Sequence, residues 1–387
     1  LPTAGSIAID PTFGTTILRV TDGDDSTSYC INDYSNEPPL NSDNTKIRAI
    51  CQVGYKRFKV WDFNPASMTR SNGRIQGNPP AGLQEYSAQW ARTSPNKFYA
   101  VTLKAIYEIT IPDGSSTTWT NTLVHDFNGS FTGESIAQMS VSDDDDVFAF
   151  HYVSSGVKTG YIAYKRSTNT ILLNVSNEGP INEVEIDKSG RYLVSLKAAP
   201  DDLHVWDLQG TPTRTAVDPL LWFNHRAMGN GVVISSCSTR RLCIRDLATP
   251  NTVSFILPAD SWSYSTQSDH FAMPGGSDAW TVSSRYHTNG GSVVNPMDNE
   301  IVQIANDGSN QVRRIAHHWS VVIANNYDDQ PKASSGRDGN FIAFTSNWGT
   351  SGGRRDMYLV KVPSTPTYPA EYNPGYTAPV TSTSKSV

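Results

Sequence analysis

Asp187-Lys-Ser-Gly-Arg-Tyr192-Leu-Val-Ser195, followed by Leu203-His-Val-Trp-Asp207, is the stretch on which the fold turns. A turn of Asp, Ser and Gly leads into a short apolar run, and a second apolar run closes on Trp-Asp. Short β-type runs bounded by turn residues read as strands. The first marker recurs six more times. It appears as Asp43-Asn-Thr-Lys before Ile47, Ser94-Pro-Asn-Lys before Phe98 and Asp143 to Asp146 before Val147. It appears again as Gly229-Asn-Gly before Val232, Gly276-Ser-Asp-Ala before Trp280 and Arg337-Asp-Gly-Asn before Phe341. The strand starts at 47, 98, 147, 192, 232, 280 and 341 are 51, 49, 45, 40, 48 and 61 residues apart.

The second marker follows each start. It reads Phe58-Lys-Val-Trp-Asp62, Ile106-Tyr-Glu-Ile, Tyr161-Ile-Ala-Tyr, Leu203 to Asp207, Leu242-Cys-Ile-Arg-Asp246, Glu300-Ile-Val-Gln-Ile and Met357-Tyr-Leu-Val. A repeat of that period, with four strands each, is a propeller blade. The expected fold is therefore all-β: a seven-bladed β-propeller over residues 1–362. The last blade lacks a fourth strand of its own, and Thr16-Ile-Leu-Arg-Val20 is expected to supply it and close the ring. Residues 363–387, rich in Pro, Thr, Ser and Tyr, read as an extended arm.

Composition bounds the partners. The chain has 387 residues, 37% apolar and 18% charged, with a net charge of −6 and no basic block. That argues against nucleic acid as a partner. No apolar run approaches the length of a membrane-spanning helix. A monomer is expected. The spacing of the four cysteines suggests two local disulfides, Cys30–Cys51 and Cys237–Cys243, which cytosolic proteins rarely keep. Asn128-Gly-Ser and Asn174-Val-Ser are glycosylation acceptor triplets. With a first residue other than Met, these features lead us to expect a secreted, extracellular protein.

In a propeller the inner strands converge on a channel, so residues distant in sequence meet there. The blade-opening positions read Asn36-Glu37, Glu85-Tyr86, Glu134, Asn182-Glu183, Asn224-His225, Asp269-His270 and Asp329-Gln330. The ends of the second strands add Lys104, His151, Lys197 and Arg285-Tyr286-His287; later loops add His317-His318-Trp319, Tyr327, Trp348 and Arg354-Arg355. Polar groups lining a wet channel are the plain reading of this set. The sharper reading is a site for an acidic sugar, since aromatic faces stack on pyranose rings and Arg clamps a carboxylate. β-Elimination of a uronate needs a neutralised carboxylate, a base and an acid. His225, His270 and His287, with Tyr286, are the candidate base and acid, and Arg285 or Arg226 the neutraliser. His151, Lys197, Tyr327, Trp348 and Arg355 are candidate substrate contacts. Two other readings compete: a non-catalytic glycan- or protein-binding propeller, and a hydrolase using Glu183 and Asp269 as paired carboxylates. No Gly-x-Ser-x-Gly elbow, His-Glu-x-x-His or phosphate loop occurs. The four-Asp run at 143–146 reads as a solvated turn rather than a Ca²⁺ loop.

Gln330-Pro-Lys-Ala-Ser-Ser-Gly-Arg-Asp-Gly-Asn-Phe-Ile-Ala-Phe-Thr-Ser-Asn-Trp-Gly349 resembles the final blade of secreted propeller proteins of fungi and bacteria. Asp10-Pro-Thr-Phe-Gly-Thr-Thr-Ile-Leu-Arg-Val-Thr-Asp22 is similar to their closing strand. That group includes the oligogalacturonate lyases and the fungal L-rhamnose-α-1,4-D-glucuronate lyases, which trim rhamnose from gum arabic side chains. The resemblance spans residues 5–362 and implies a secreted polysaccharide lyase acting on an acidic plant polysaccharide or oligosaccharide. It also implies a cation, here expected to be Ca²⁺, in the central channel, with Glu183, Asp269 and Gln330 as ligands. The chain departs from the oligogalacturonate lyase pattern at one place: Gln330-Pro-Lys332 stands where a His-x-His is expected. That departure favours the rhamnose–glucuronate type.

Overall fold

A computed structural model describes residues 1–26, 28–53, 55–197, 203–217, 223–237, 242–257, 267–287, 297–323 and 326–364; side chains 53–56, 85–87, 223–224 and 267–268 fall outside that description. The expected C-terminal arm beyond residue 364 therefore lies outside the described residues, as does the tip of the Cys237–Cys243 hairpin.

The described chain is almost wholly β-structure, with one short 3₁₀ turn at Tyr327–Asp329. Five separate four-stranded antiparallel sheets follow one another along the chain, and a nine-stranded sheet joins its two ends. We divide the nine-stranded sheet at the two-residue parallel contact of Arg355 and Asp356 with Tyr29 and Cys30, and number the blades accordingly. Blade one is Tyr29–Ile31, Lys46–Val53, Tyr55–Asn64 and Thr69–Ile75. Blade two is Gln84–Trp90, Lys97–Val101, Ala105–Thr110 and Thr120–Asp126. Blade three is Ser135–Val141, Val147–Ser154, Val157–Lys165 and Thr170–Val175. Blade four is Ile181–Ile186, Tyr192–Lys197, Leu203–Asp207 and Thr213–Ala216. Blade five is Phe223–Met228, Val232–Cys237, Leu242–Asp246 and Ser254–Phe255. Blade six is Gln267–Ala272, Trp280–His287, Glu300–Ala305 and Val312–His317. Blade seven is Ser334–Ser335, Phe341–Ser346 and Arg355–Lys361, completed by Thr16–Arg19.

The strand starts expected from the repeat match the second strands to within one residue. The N-terminal strand pairs as expected, Ile17 opposite Val360 and Arg19 opposite Tyr358, and Ile7–Ile9 adds one strand outside it. Both expected disulfides form.

Burial follows position in the blade. The second strand of blade three is buried from Val147 through Tyr152, with no alternation, because both sheet faces pack on neighbours. The outer strand Thr213–Ala216 is exposed throughout. The core is therefore a set of wedges between blades. Phe58, Trp90, Phe98 and Trp119 fill one such wedge, and Tyr99, Phe127, Phe148, Phe150 and Tyr164 the next.

The recurring turns have a function that their local sequence does not reveal. Each latches onto the turn of a neighbouring blade on the same face. Asn41 donates to the Pro95 carbonyl. Asp145 accepts from the Arg92 and Thr93 amides and the Thr93 hydroxyl. The Asp143 amide donates to the Lys188 carbonyl, and Asp187 accepts from the Gly231 amide. Asp278 accepts from the Asn230 amide, the Gly276 amide donates to the Arg337 carbonyl, and Asn44 donates to Asp338. The circuit is complete from blade one back to blade one. The four-Asp run is thus solvated only in part: Asp144 is exposed, whereas Asp145 is 5% exposed and serves the blade beside it.

Asp145→Ala would orphan two partly buried amide donors, at about 1 kcal/mol each. Asp146, whose carboxylate serves Ser167 at the surface, should cost under about 1 kcal/mol when changed to Ala. Urea unfolding of the two variants checks the contrast.

Candidate functional site

The channel is not open. The segment between the first two strands of blade one crosses it, and its residues alternate between two cavities. Asp33, Tyr34 and Glu37 line one; Ser35, Asn36 and Pro38 line the other. The crossing is held from the far side of the ring. Tyr34 donates to Glu183 at 3.2 Å, and Asn36 donates to Glu185 at 2.5 Å. The first cavity has a volume of about 520 Å³ and is also lined by Gln138, His151, Lys158, Asn182, His225 and Tyr327. The second lies on the latch face among Arg92, Asp143 and Lys188, whose charges are paired there.

Inner-strand geometry brings part of the expected set to the first cavity. His225 and His270 stack with ring centroids 4.4 Å apart, and His270 stacks on Tyr286 at 5.6 Å. Tyr34 meets His270 edge-on at 5.4 Å and faces Tyr327 at 6.1 Å. The Nδ1 of His225 lies 2.5 Å from the Asp269 carbonyl. A carbonyl only accepts, so Nδ1 carries a proton, and in the neutral ring Nε2 is the acceptor. Burial, with His225 and Lys332 nearby, holds His270 well below the ordinary imidazole range, so it is neutral. Burial and the Glu183 carboxylate hold the Tyr34 phenol well above its ordinary range, so it keeps its proton.

Other expected residues are placed elsewhere. Alternation along the strand puts His287 on the face opposite Tyr286, and its Nε2 sits 3.5 Å from Asp298. Arg226 is buried and engaged by Glu185 at 2.9 Å and Glu183 at 3.3 Å, so it has no charge to offer a substrate. Arg285 is 2% exposed, and its carbonyl accepts from His318. Arg355 pairs with Asp329 at 2.6 Å. Trp348 stacks on Tyr358 and Trp319 against the wedge between blades six and seven. Lys197 is half-buried at the end of its strand and does not line the cavity. Glu85, Tyr86 and Asn224 have side chains outside the described residues. Asn128 and Asn174 are exposed.

Asp33, Tyr34, Gln138 and Lys158 at the cavity were missed from sequence. Tyr34 precedes a blade-opening pair by two positions, and counting back from Asn36 would have found it. Lys158 starts a third strand, a position that the repeat gave no reason to weigh.

The fold is that of known propeller lyases. The oligogalacturonate lyase of Vibrio parahaemolyticus superposes with a TM-score of 0.66 at 10% identity, over 93% of this chain and 97% of that one. An oligogalacturonate lyase in complex with manganese gives 0.66 at 14%, over 94% and 97%. A chain of a mitotic checkpoint complex gives 0.51 at 12%, over 94% and 96%. No family profile matches the chain, and no curated protein matches it by sequence.

The residues at the channel do not fit a manganese ion. Among the described residues no three His, Cys, Asp or Glu side chains are grouped to hold a metal. The expected ligand Glu183 is taken by Arg226 and Tyr34. Asp269 and Gln330 are buried; the backbone carbonyl of Asp269 meets His225, and the backbone N–H of Gln330 donates to the Tyr327 carbonyl. Glu37, pushed well above the usual carboxylate range by burial and by Asp33, faces two cations already, Arg48 and Lys332.

His318 is fully buried, donates Nε2–H to the Arg285 carbonyl and accepts the Ser320 amide at Nδ1, so it must be neutral. Burial pulls it down to about 4, and the unfolded chain therefore binds more protons between that value and about 6.5. Stability should be full above about pH 6.5 and fall as the pH drops towards 4, with this residue contributing on the order of 3 kcal/mol to the loss. Urea midpoints across that range, compared with those of His318→Gln, check the assignment.

Proposed function

We propose that the chain is a secreted lyase that cleaves a uronate-bearing glycan by β-elimination in the 520 Å³ cavity. The observation that carries the reading is His225. Its Nδ1 is fixed on the Asp269 carbonyl, its Nε2 is left as a base, and it lines a cavity shared with a protonated tyrosine. Elimination needs these two groups together. Nε2 takes the C5 proton of the uronate, and the C5–H electrons form the C4=C5 double bond. The C4–O bond breaks and Tyr34 protonates the leaving oxygen; the His225 imidazolium then loses its proton to solvent, and Tyr34 regains one from solvent. His270 lies neutral under His225 and so does not repel the imidazolium that forms. Tyr327 lines the same cavity.

The likeness to oligogalacturonate lyases supports a uronate substrate, and the two disulfides support an oxidising compartment. We propose the rhamnosyl–glucuronate side chains of gum arabic type as the substrate. No step is routed through a metal, because the donor set does not suit one. A hydrolase using Glu183 is disfavoured by the ion pair that holds that carboxylate.

The test is incubation with gum arabic side-chain fragments and with pectin fragments, following the ultraviolet absorbance of an unsaturated uronate. The wild type should produce that absorbance. His225→Ala should lower kcat by about 10²-fold or more, and Tyr34→Phe by a similar factor. New reducing ends without the absorbance would establish hydrolysis instead, and full activity of His225→Ala would remove the base assignment.

A further inference from the structure

Among the described residues that line the cavity, Lys158 carries the one ammonium or guanidinium. Of the three carboxylates that line the cavity, two already face cations, and the third, Asp33, is hydrogen-bonded to Glu37. Glu183 pairs with Arg226 at 3.3 Å, and Glu37 lies 3.7 Å from Arg48. Lys158 forms no ion pair within 4.0 Å among the described residues. It donates to the Asn182 carbonyl at 2.9 Å, and an ammonium has two further donors to place. On the adjacent strand, also lining the cavity, stands His151. It is 0% exposed, and neither ring nitrogen has a hydrogen-bond partner. Buried polar atoms in native proteins are almost always satisfied, and a partly buried charge without a counter-ion is costly. Two unmet demands, a negative charge and hydrogen-bonding atoms, therefore face the same space.

We propose that Lys158 and His151 form the subsite that receives the carboxylate of an acidic sugar. One ligand group meets both demands: its charge pairs with the ammonium, and its second oxygen accepts from a ring N–H of His151. The subsite deepens the lyase reading and rests on it for the identity of the sugar. It replaces Arg226 and Arg285 as the source of neutralising charge at the uronate. Burial supports the pairing: it keeps His151 neutral, and it lowers the Lys158 pKa against the opposing pull of Glu183. A neutral imidazole has one N–H to donate and one nitrogen to accept a sugar hydroxyl.

The experiment is binding, read separately from turnover. D-glucuronate and D-glucose are titrated into the full chain by calorimetry, and the His151 ring protons are followed by NMR. The wild type should bind D-glucuronate at least tenfold more tightly than D-glucose and shift the His151 resonances. Lys158→Met should lose that preference, Lys158→Arg should keep most of it, and His151→Phe should weaken binding with an unchanged Tm. Equal binding of both sugars, or D-glucuronate binding by Lys158→Met at wild-type strength, would overturn the subsite. A Lys158-dependent preference in a chain that forms no unsaturated product would leave the subsite standing and remove the lyase.

Discussion

The ring depends on one antiparallel pairing, that of Thr16–Arg19 with Arg355–Lys361. It is sealed by Arg19, whose guanidinium reaches Asp356 at 2.6 Å in a setting where both side chains are under 10% exposed. The same arginine donates to the carbonyls of Thr21 and Pro2, and Thr21 donates to Asp356. A buried pair is tolerable when its remaining hydrogen-bonding capacity is filled in this way. Without this closure, blade seven would present an unpaired edge, and the inner strands would have no reason to converge. The cavity joins Tyr34 in blade one to Glu183 in blade four, so it exists only while the circuit is shut.

Closure explains the fold, whereas the segment from Asp33 to Pro38 explains the site. By crossing the channel it divides a continuous space into two cavities of different character. On the latch face, charges pair with each other: Arg92 and Arg337 with Asp143, and Lys188 with Asp278. On the other face the pairing leaves Lys158 and His151 over. The likeness to oligogalacturonate lyases at 10–14% identity shows how little of the frame depends on the groups at its mouth. A propeller frame alone selects no chemistry, and a TM-score of 0.51 to a chain of a mitotic checkpoint complex makes the same point.

The sequence disclosed the frame because blade packing is a local pattern repeated. A strand buried on both faces must be an apolar run, and a turn that latches to its neighbour must carry Asp, Asn or Gly. Second strands beginning at 46, 97, 147, 192, 232, 280 and 341 follow from those two demands. The site was less legible, because its contacts are made across the ring. Nothing near Glu183 in sequence announces Tyr34, 149 residues away. Arg226 looks available until its two carboxylates are seen. Trp348 and Arg355 look like sugar contacts, yet one wedges a blade interface and the other holds Asp329. His225 and His270 could be read because both lie on inner strands of adjacent blades, and Tyr286 because it stands near the end of the second strand beside one of them.

Burial links the stability of this protein to its chemistry. His151, His270 and His318 are all kept neutral by desolvation. For folding this is a liability in acid, since each must be protonated against its surroundings. For an elimination it is useful. In the proposed elimination a base at His225 would gain positive charge, and a protonated ring stacked 4.4 Å away would oppose it. Depressing His270 removes that opposition. The same burial, with the Glu183 carboxylate, raises the Tyr34 phenol, so it too stays in its neutral form. The ring of blades thus keeps two neighbouring groups uncharged by one means, the exclusion of water from a narrow channel.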